Sequence, residues 1–153
     1  MNKNNNKMNE QLYKYRFELI RVLDGDTIKV AVDLGFNTWV TKTIRLARID
    51  APSRRSIDAS IRLLAQTATN ILRKRLVVDC LLEKSKWLKT YKDKMGKYGR
   101  VIADVFIKKE NINDWLVNKK LCLPYDGGSK SELKELHREN AQYWVNRRSQ
   151  QND

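Results

Sequence analysis

Three acidic residues lie at or next to the ends of three predicted strands, where carboxylates could bind a metal ion. Asp24 and Asp26 belong to the segment LDGDT, and Asp50 ends the segment IRLARID. Asp-Gly between strands is the commonest hairpin signal, so LDGDT alone is typical of an ordinary turn. If an adjacent antiparallel strand brings Asp50 beside Asp26, their oxygens, a backbone carbonyl and waters suit Ca2+. Such an ion neutralises negative charge that develops on a phosphodiester.

Two arginines are candidates for phosphate contacts near these carboxylates. Arg45 lies five residues before Asp50 on the same predicted strand, and Arg100 follows a KYG turn. A planar guanidinium donates two hydrogen bonds to phosphate and keeps its charge at any working pH, which suits a charged transition state. The alternative interpretation of each is a solvated strand arginine.

The net charge of the chain favours a polyanionic partner. The 153 residues include 31 Lys and Arg but 18 Asp and Glu, a formal net charge of +13. This excess favours nucleic acid over a membrane surface or a merely soluble basic protein. Because no apolar run spans a bilayer and no signal-peptide core is present, we expect a soluble cytoplasmic protein without membrane contact.

Two residue types that often carry chemistry are expected to play no catalytic part. Cys80 and Cys122 lie far apart inside apolar stretches, which favours free packed thiols over a disulfide or a zinc site. His137 is the only histidine and lies in a charged stretch, where a solvated helical residue is the commoner case.

Hydrophobic patterning predicts a disordered basic tail over residues 1–12, one folded domain over 13–148 and a disordered tail over 149–153. Strands are predicted in five segments: YRFELIRV, DTIKVAVDL, TWVTKTIRLARI, LVVDCLLEKS and RVIADVFIKK. Three helices are predicted: one between Ser56 and Leu76, one after an Asn111 cap, and one that begins at Ser129 or Ser131. Together these elements predict an α+β, mainly β fold, a five-stranded OB-fold barrel with three helices.

Three segments occur in a characteristic order, with helices after them: VLDGDTIKV, IRLARIDAP and KYGRVIADVF. In these features the chain resembles the staphylococcal nuclease (thermonuclease) family, from about Phe17 to Trp144. The details VDLGFNTWV and LCLPYDGG resemble its phage and bacterial branch, which would place the protein in a host cytoplasm. The resemblance implies a monomeric Ca2+-dependent endonuclease that acts on single- or double-stranded DNA or RNA with little sequence specificity. Other divalent cations could replace Ca2+.

The resemblance also assigns roles to individual residues. The metal ion would be held by Asp26, Asp50 and the backbone carbonyl of Ala51, with Asp24 behind them. The phosphate would be stabilised by Arg45 and Arg100. The nucleotide would be contacted by Lys97, Tyr98 and Tyr125.

One residue departs from the family pattern. After the proline of Asp-x-Pro the family usually has a Glu that positions or deprotonates the attacking water, whereas this chain has Ser53, followed by Arg54 and Arg55. Loss of a general base typically costs ~10²- to 10⁴-fold in rate, so either a slow enzyme or a silent one is expected. Asp58 is the nearest downstream carboxylate and could substitute, although a helix-capping role is the simpler interpretation.

Two other functions stay open. A nucleic-acid-binding module without turnover is supported by the basic, aromatic segment KWLKTYKDKMGKYG over residues 86–99, since a positive groove with aromatics suits single strands. A structural subunit that uses the barrel for protein contacts is the third possibility, because the four tryptophans could be interface residues.

Overall fold

The computed structural model describes residues 13–95 and 99–151. Within these residues the strands are β1 (Lys14–Asp24), β2 (Thr27–Asp33), β3 (Trp39–Leu46), β4 (Ile49–Asp50), β5 (Lys86–Met95), β6 (Val101–Ile107), β7 (Glu110–Asn111) and β8 (Leu123–Pro124). The helices are α1 (Ala59–Leu82), α2 (Ile112–Asn118) and α3 (Leu133–Gln151). The predicted basic tail over residues 1–12 lies outside the described residues.

Five of the strands close into a barrel. The long strands pair antiparallel in the order β3, β2, β1, β5 and β6, and a parallel contact between β3 and β6 closes the sheet. Alternate residues of β2, such as Ile28 and Val30, point inward, and α1 adds Leu72 and Leu76 to the same core. The predicted mainly β OB-fold barrel with three helices is confirmed.

The predicted fourth strand over residues 76–85 is wrong, because most of this segment extends α1. Leu72 and Leu76 lie four residues apart and are both fully buried, and Arg75 pairs with Asp79 along the helix surface. The β-branched Val77 that suggested a strand is exposed. These helical contacts outweigh its strand propensity, which depends on packing against a pleated surface.

The strand β5 lies instead in the segment that looked like a basic connection. Its Lys86 is buried, and the ammonium lies 3.1 Å from the Glu18 carboxylate and donates a hydrogen bond of 3.2 Å to the carbonyl of Cys80. A cation is favourable at a helix C-terminus, so this lysine fits inside the sheet beside the end of α1. Lys86 is therefore a structural residue rather than a cation available to nucleic acid.

The ends of the helices agree with the sequence in part. Asn111 caps α2 as predicted, since its side chain accepts hydrogen bonds from the amides of Asn113 and Asp114. The last helix begins at Leu133, after Ser129 and Ser131, and continues to Gln151, three residues beyond the predicted boundary of the domain. In the described part of the chain, no helix is long and apolar enough to cross a membrane. Both cysteines are free, as expected.

Asn113 ties α2 to the barrel near the turn that precedes β4. Its fully buried side chain donates to the carbonyls of Ala47 and Ala103 and accepts from the amide of Val105. These bonds satisfy backbone groups that water cannot reach. Because Ala47 begins the turn between β3 and β4, Asn113 anchors the start of the turn that leads to Asp50.

We expect Asn113→Ala to lower the free energy of unfolding by about 3 kcal/mol, because it leaves buried backbone groups without partners. The control is Asn118→Ala, an exposed position at the end of the same helix, where a change within about 0.5 kcal/mol is expected. Urea unfolding followed by tryptophan fluorescence measures both. Equal stability of the two variants would contradict the assigned role of Asn113.

Candidate functional site

The DGD turn between β1 and β2 packs tightly against the rest of the protein. Gly25 is buried, and a Cβ at this position would lie 3.1 Å from the Cβ atoms of both Ala51 and Ala68. Only glycine lets the turn approach so closely. The Ala51 amide then donates a 2.8 Å hydrogen bond to Oδ2 of Asp26. The segment LDGDT is therefore more than a hairpin turn, because it brings Asp26 next to the residue that follows Asp50.

Arg45 lies between the two candidate metal ligands. The pairing of β2 with β3 places Arg45 opposite Thr27, one residue from Asp26. Its Nη2 lies 3.1 Å from Oδ2 of Asp26 and 3.6 Å from Oδ1 of Asp50, and it donates to the carbonyl of Ile49 at 2.9 Å. The carboxylates of Asp26 and Asp50 are only 12% and 11% exposed. The structure thus brings these three predicted site residues together.

A second group of contacts holds Asp50 from the side of α3. The pairing of β4 with β8 places Asp50 opposite Leu123, and its carboxylate faces the loop and helix that follow. Lys130 Nζ lies 2.9 Å from Oδ1, and His137 Nε2 lies 3.1 Å from Oδ2. Burial raises the pKa of the Asp50 carboxyl, but hydrogen bonds from His137 and Lys130 outweigh it and hold that pKa below its ordinary value.

The prediction that His137 is solvated is wrong. The residue is only 5% exposed and lies on the inward side of α3, with Leu133 one turn before it and the buried Ala141 one turn after it. This four-residue spacing was a signal in the sequence, although the charged residues around it concealed it. Nδ1 of His137 is buried and has no hydrogen-bond partner among the residues that the structure describes. Sequence reasoning also missed Lys130, since a lysine in a glycine-containing loop carries no pattern.

A cavity of about 390 Å³ reaches Arg45 and Lys130, two side chains whose cationic groups contact Asp50. Arg45, Arg100, Lys130 and Tyr125 are among the residues that line it, so both predicted phosphate arginines and the predicted pocket tyrosine share one space. Tyr91 also lines it, and its hydroxyl donates to the Asp104 carboxylate. With Arg48, four cationic side chains and two tyrosine rings line this one cavity, which suits a nucleotide with its phosphate.

Ser53 lies at a second cavity, of about 200 Å³. Asp50, Lys130 and His137 are among its other lining residues. Ser53 itself is exposed, and its Oγ accepts a hydrogen bond of 3.1 Å from the amide of Arg55. The position is therefore close to the carboxylate site and carries no group that acts as a base at neutral pH.

Asp58 does not replace the missing carboxylate, since it caps α1. Its Oδ1 accepts from the amide of Ser60 at 2.9 Å, and its Oδ2 accepts from Arg138 Nε at 2.6 Å. The hydrogen bond from Arg138, followed by that from the Ser60 hydroxyl, lowers the pKa of the Asp58 carboxyl. The helix-capping interpretation is confirmed, and the carboxylate is a weak base.

The remaining predicted residues are distributed more widely. Asp24 points to a different partner, because its carboxylate lies 2.9 Å from Arg54 Nε at the surface. Lys97 and Tyr98 lie outside the described residues. Within the basic segment, Trp87 stacks on Phe106 at 4.0 Å and carries Lys14 over its ring, so both of its faces are covered. That tryptophan offers no open face to a base.

The residues around Asp50 fit a hard cation. Among residues 13–95 and 99–151 no group of three or more histidine, cysteine or carboxylate side chains is placed to hold an ion. The protein would therefore supply two carboxylates and a backbone carbonyl, and water or phosphate oxygens would complete the coordination, which Ca2+ accepts. The Lys130 ammonium already lies against Asp50, which shows that the carboxylate is within reach of a cation.

Comparison with family models matches residues 43–146 to the family described as staphylococcal nuclease homologue. This range is more than half of the chain and contains Arg45, Asp50, Ser53 and Arg100, whereas Asp24 and Asp26 precede it. A comparison with curated proteins finds no match.

We expect His137→Ala to lower the free energy of unfolding by about 2–4 kcal/mol, because it leaves a cavity under α3 and removes a donor from the buried Asp50. Lys134→Ala, an exposed position one turn earlier in the same helix, serves as the control and should change stability little. Chemical unfolding in the presence of a chelator measures both. A His137→Ala variant as stable as the control would show that the contact with Asp50 contributes nothing.

Proposed function

Because this chain belongs to the staphylococcal nuclease homologue family, we propose that it is a Ca2+-dependent endonuclease that cleaves DNA, RNA or both with little sequence specificity. The observation that supports this most is the position of Arg45. One of its nitrogens lies between Asp26 and Asp50, and the same side chain lines the cavity that contains Arg100. Carboxylates for a cation and guanidiniums for a phosphate thus meet at one point.

The arginines bind the scissile phosphate and stabilise its charge. Arg45 holds a fixed orientation through hydrogen bonds to the carbonyls of Leu46 and Ile49, so its guanidinium is already ordered before substrate arrives. Preorganised donors of this kind stabilise charge that develops in a transition state. Tyr125 contacts the nucleotide from the cavity wall, and Lys97 and Tyr98, which precede Arg100 in the chain, add further phosphate contacts.

Asp26, Asp50 and the carbonyl of Ala51 would hold the Ca2+, and other divalent cations could replace it. When bound, the ion supplies positive charge next to the phosphate and polarises it. Asp24 contributes negative charge near the site, although its contact with Arg54 weakens that contribution. The protein acts as a monomer on single- or double-stranded substrate, which its net charge of +13 attracts without regard to sequence.

A catalytically silent nucleic-acid-binding module is the second candidate, and Ser53 is the observation that favours it. A site with the cation ligands and the arginines but no base retains affinity more readily than turnover. The basic segment supports this alternative less than its sequence indicated, because Lys86 is buried and both faces of Trp87 are covered.

We expect Arg100→Gln to reduce Ca2+-dependent cleavage by about 10²- to 10³-fold, as loss of one donor to a charged transition state typically does. The control is Arg21→Gln, which removes the same charge from an exposed position on β1 and should change the rate by less than about threefold. Labelled single- and double-stranded DNA and RNA are assayed with Ca2+ and with chelator.

The same assay separates the two candidates. Salt-dependent binding of the substrates without cleavage in either condition would favour the binding module. Cleavage that persists in chelator and is equally affected by both variants would contradict the proposed site.

We expect Ser53→Glu to raise Ca2+-dependent cleavage by at least about tenfold, the lower part of the range for general-base catalysis. The new carboxylate would lie beside Asp50 at the cavity that Ser53 lines, where it could order and deprotonate the attacking water. Arg54 and Arg55 follow directly and would lower its basicity, which limits the expected gain.

Ser53→Gln is the matched control, since it has the same size and no charge. A rate for Ser53→Glu that does not exceed that of Ser53→Gln, in protein that is folded and binds Ca2+, would show that the site lacks something other than this carboxylate.

A further inference from the structure

Lys130 holds a position between the two cavities of the site. It lines the cavity that contains Arg45 and Arg100, and it also lines the cavity that contains Ser53 and His137. Its ammonium lies 2.9 Å from Oδ1 of Asp50 and 5.2 Å from the centre of the Tyr125 ring. A cation therefore already contacts the Asp50 oxygen that faces Arg45.

The lysine and a divalent ion would need the same oxygen. The other oxygen of Asp50, Oδ2, lies 3.1 Å from Nε2 of His137, which is on the buried face of α3. One oxygen of Asp26 accepts from Thr27, and the other accepts from the amide of Ala51. Within the described residues, Oδ1 of Asp50 thus accepts its hydrogen bond from an ammonium on a surface loop, while Arg45 Nη2 lies farther away, at 3.6 Å.

Arg45 and Lys130 differ in how readily their cationic groups can move away from Asp50. The Arg45 side chain is 16% exposed and is fixed by two backbone carbonyls, so its guanidinium stays where it is. The Lys130 side chain is 62% exposed, and its flexible four-carbon stem can move the ammonium into solvent or into the phosphate cavity. Of these two cations, the lysine is the exchangeable one.

We propose that Lys130 is a tethered cation that competes with the divalent metal for Asp50. This inference rests on the proposed function, because it concerns the metal site of that function. Metal binding requires the ammonium to leave Oδ1, which weakens the affinity for the ion. A phosphate in the neighbouring cavity offers the ammonium another anionic partner. Bound substrate would therefore draw the lysine away from Asp50 and make metal binding easier.

The test is calorimetric titration of Ca2+ into the full chain without nucleotide, on the parent, Lys130→Met and Lys134→Met. Lys134 is exposed, lines the same small cavity and carries the same charge, so its variant measures the general effect of removing one positive charge. We expect Lys130→Met to bind Ca2+ about fivefold or more tightly than the parent, and Lys134→Met to gain less than about twofold. Asp26→Asn in each background identifies the heat that belongs to the site.

The outcomes separate the two proposals. Equal gains in the two lysine variants would overturn the competition, because charge alone would then explain them. An unchanged or weaker Ca2+ affinity in Lys130→Met would also overturn the competition. In that case the metal site of the proposed function would still stand, provided that Asp26→Asn abolishes Ca2+ binding. If neither the parent nor Lys130→Met binds Ca2+, the metal site itself is overturned, and the competition with it.

Discussion

The burial of two carboxylates beside one guanidinium is the constraint on which the site depends. Asp26 and Asp50 are both about nine-tenths buried, and two such charges without a cation would be strongly unfavourable. Arg45 meets this requirement from β3, where pairing with β2 sets its register. The barrel therefore brings β2, β3 and β4 together at this point, and the same geometry places an ordered arginine at the neighbouring cavity.

The charges of the site are largely balanced before any ligand binds. Asp50 contacts Arg45, Lys130 and His137, and Asp24 contacts Arg54. Where this family usually has a further carboxylate, the chain has Ser53, so less negative charge remains to attract a divalent ion. Under the proposed function, a metal or a phosphate would therefore exchange with groups of the protein itself, and the identity and mobility of those groups would matter for the activity.

The last helix belongs to the site as much as to the core. His137 holds α3 against Asp50, and Arg138 holds α3 against Asp58, the cap of α1. Trp144 packs on the core and donates to the carbonyls of Lys119 and Lys120. The hydrogen bond from Arg138 lowers the pKa of the Asp58 carboxyl, so protonation of that group in acid weakens the contact between the two helices. Stability and site geometry share these residues.

The sequence by itself determined the barrel, its three helices and the meeting of Asp26, Arg45 and Asp50, because alternation along strands and turn residues are local signals that fix register. The sequence pattern misplaced the fourth strand, because Val77 favours a strand only when its side chain is packed. The buried contacts of Leu72 and Leu76 stabilise a helix there instead. Only the tertiary structure decided that His137 is buried, that Lys130 contacts Asp50 and that Asp24 turns to Arg54. These contacts join residues far apart in the chain, and their side chains settle where burial and charge allow. The four-residue spacing around His137 indicates an inward helix face, but no local pattern encodes which residue that face meets.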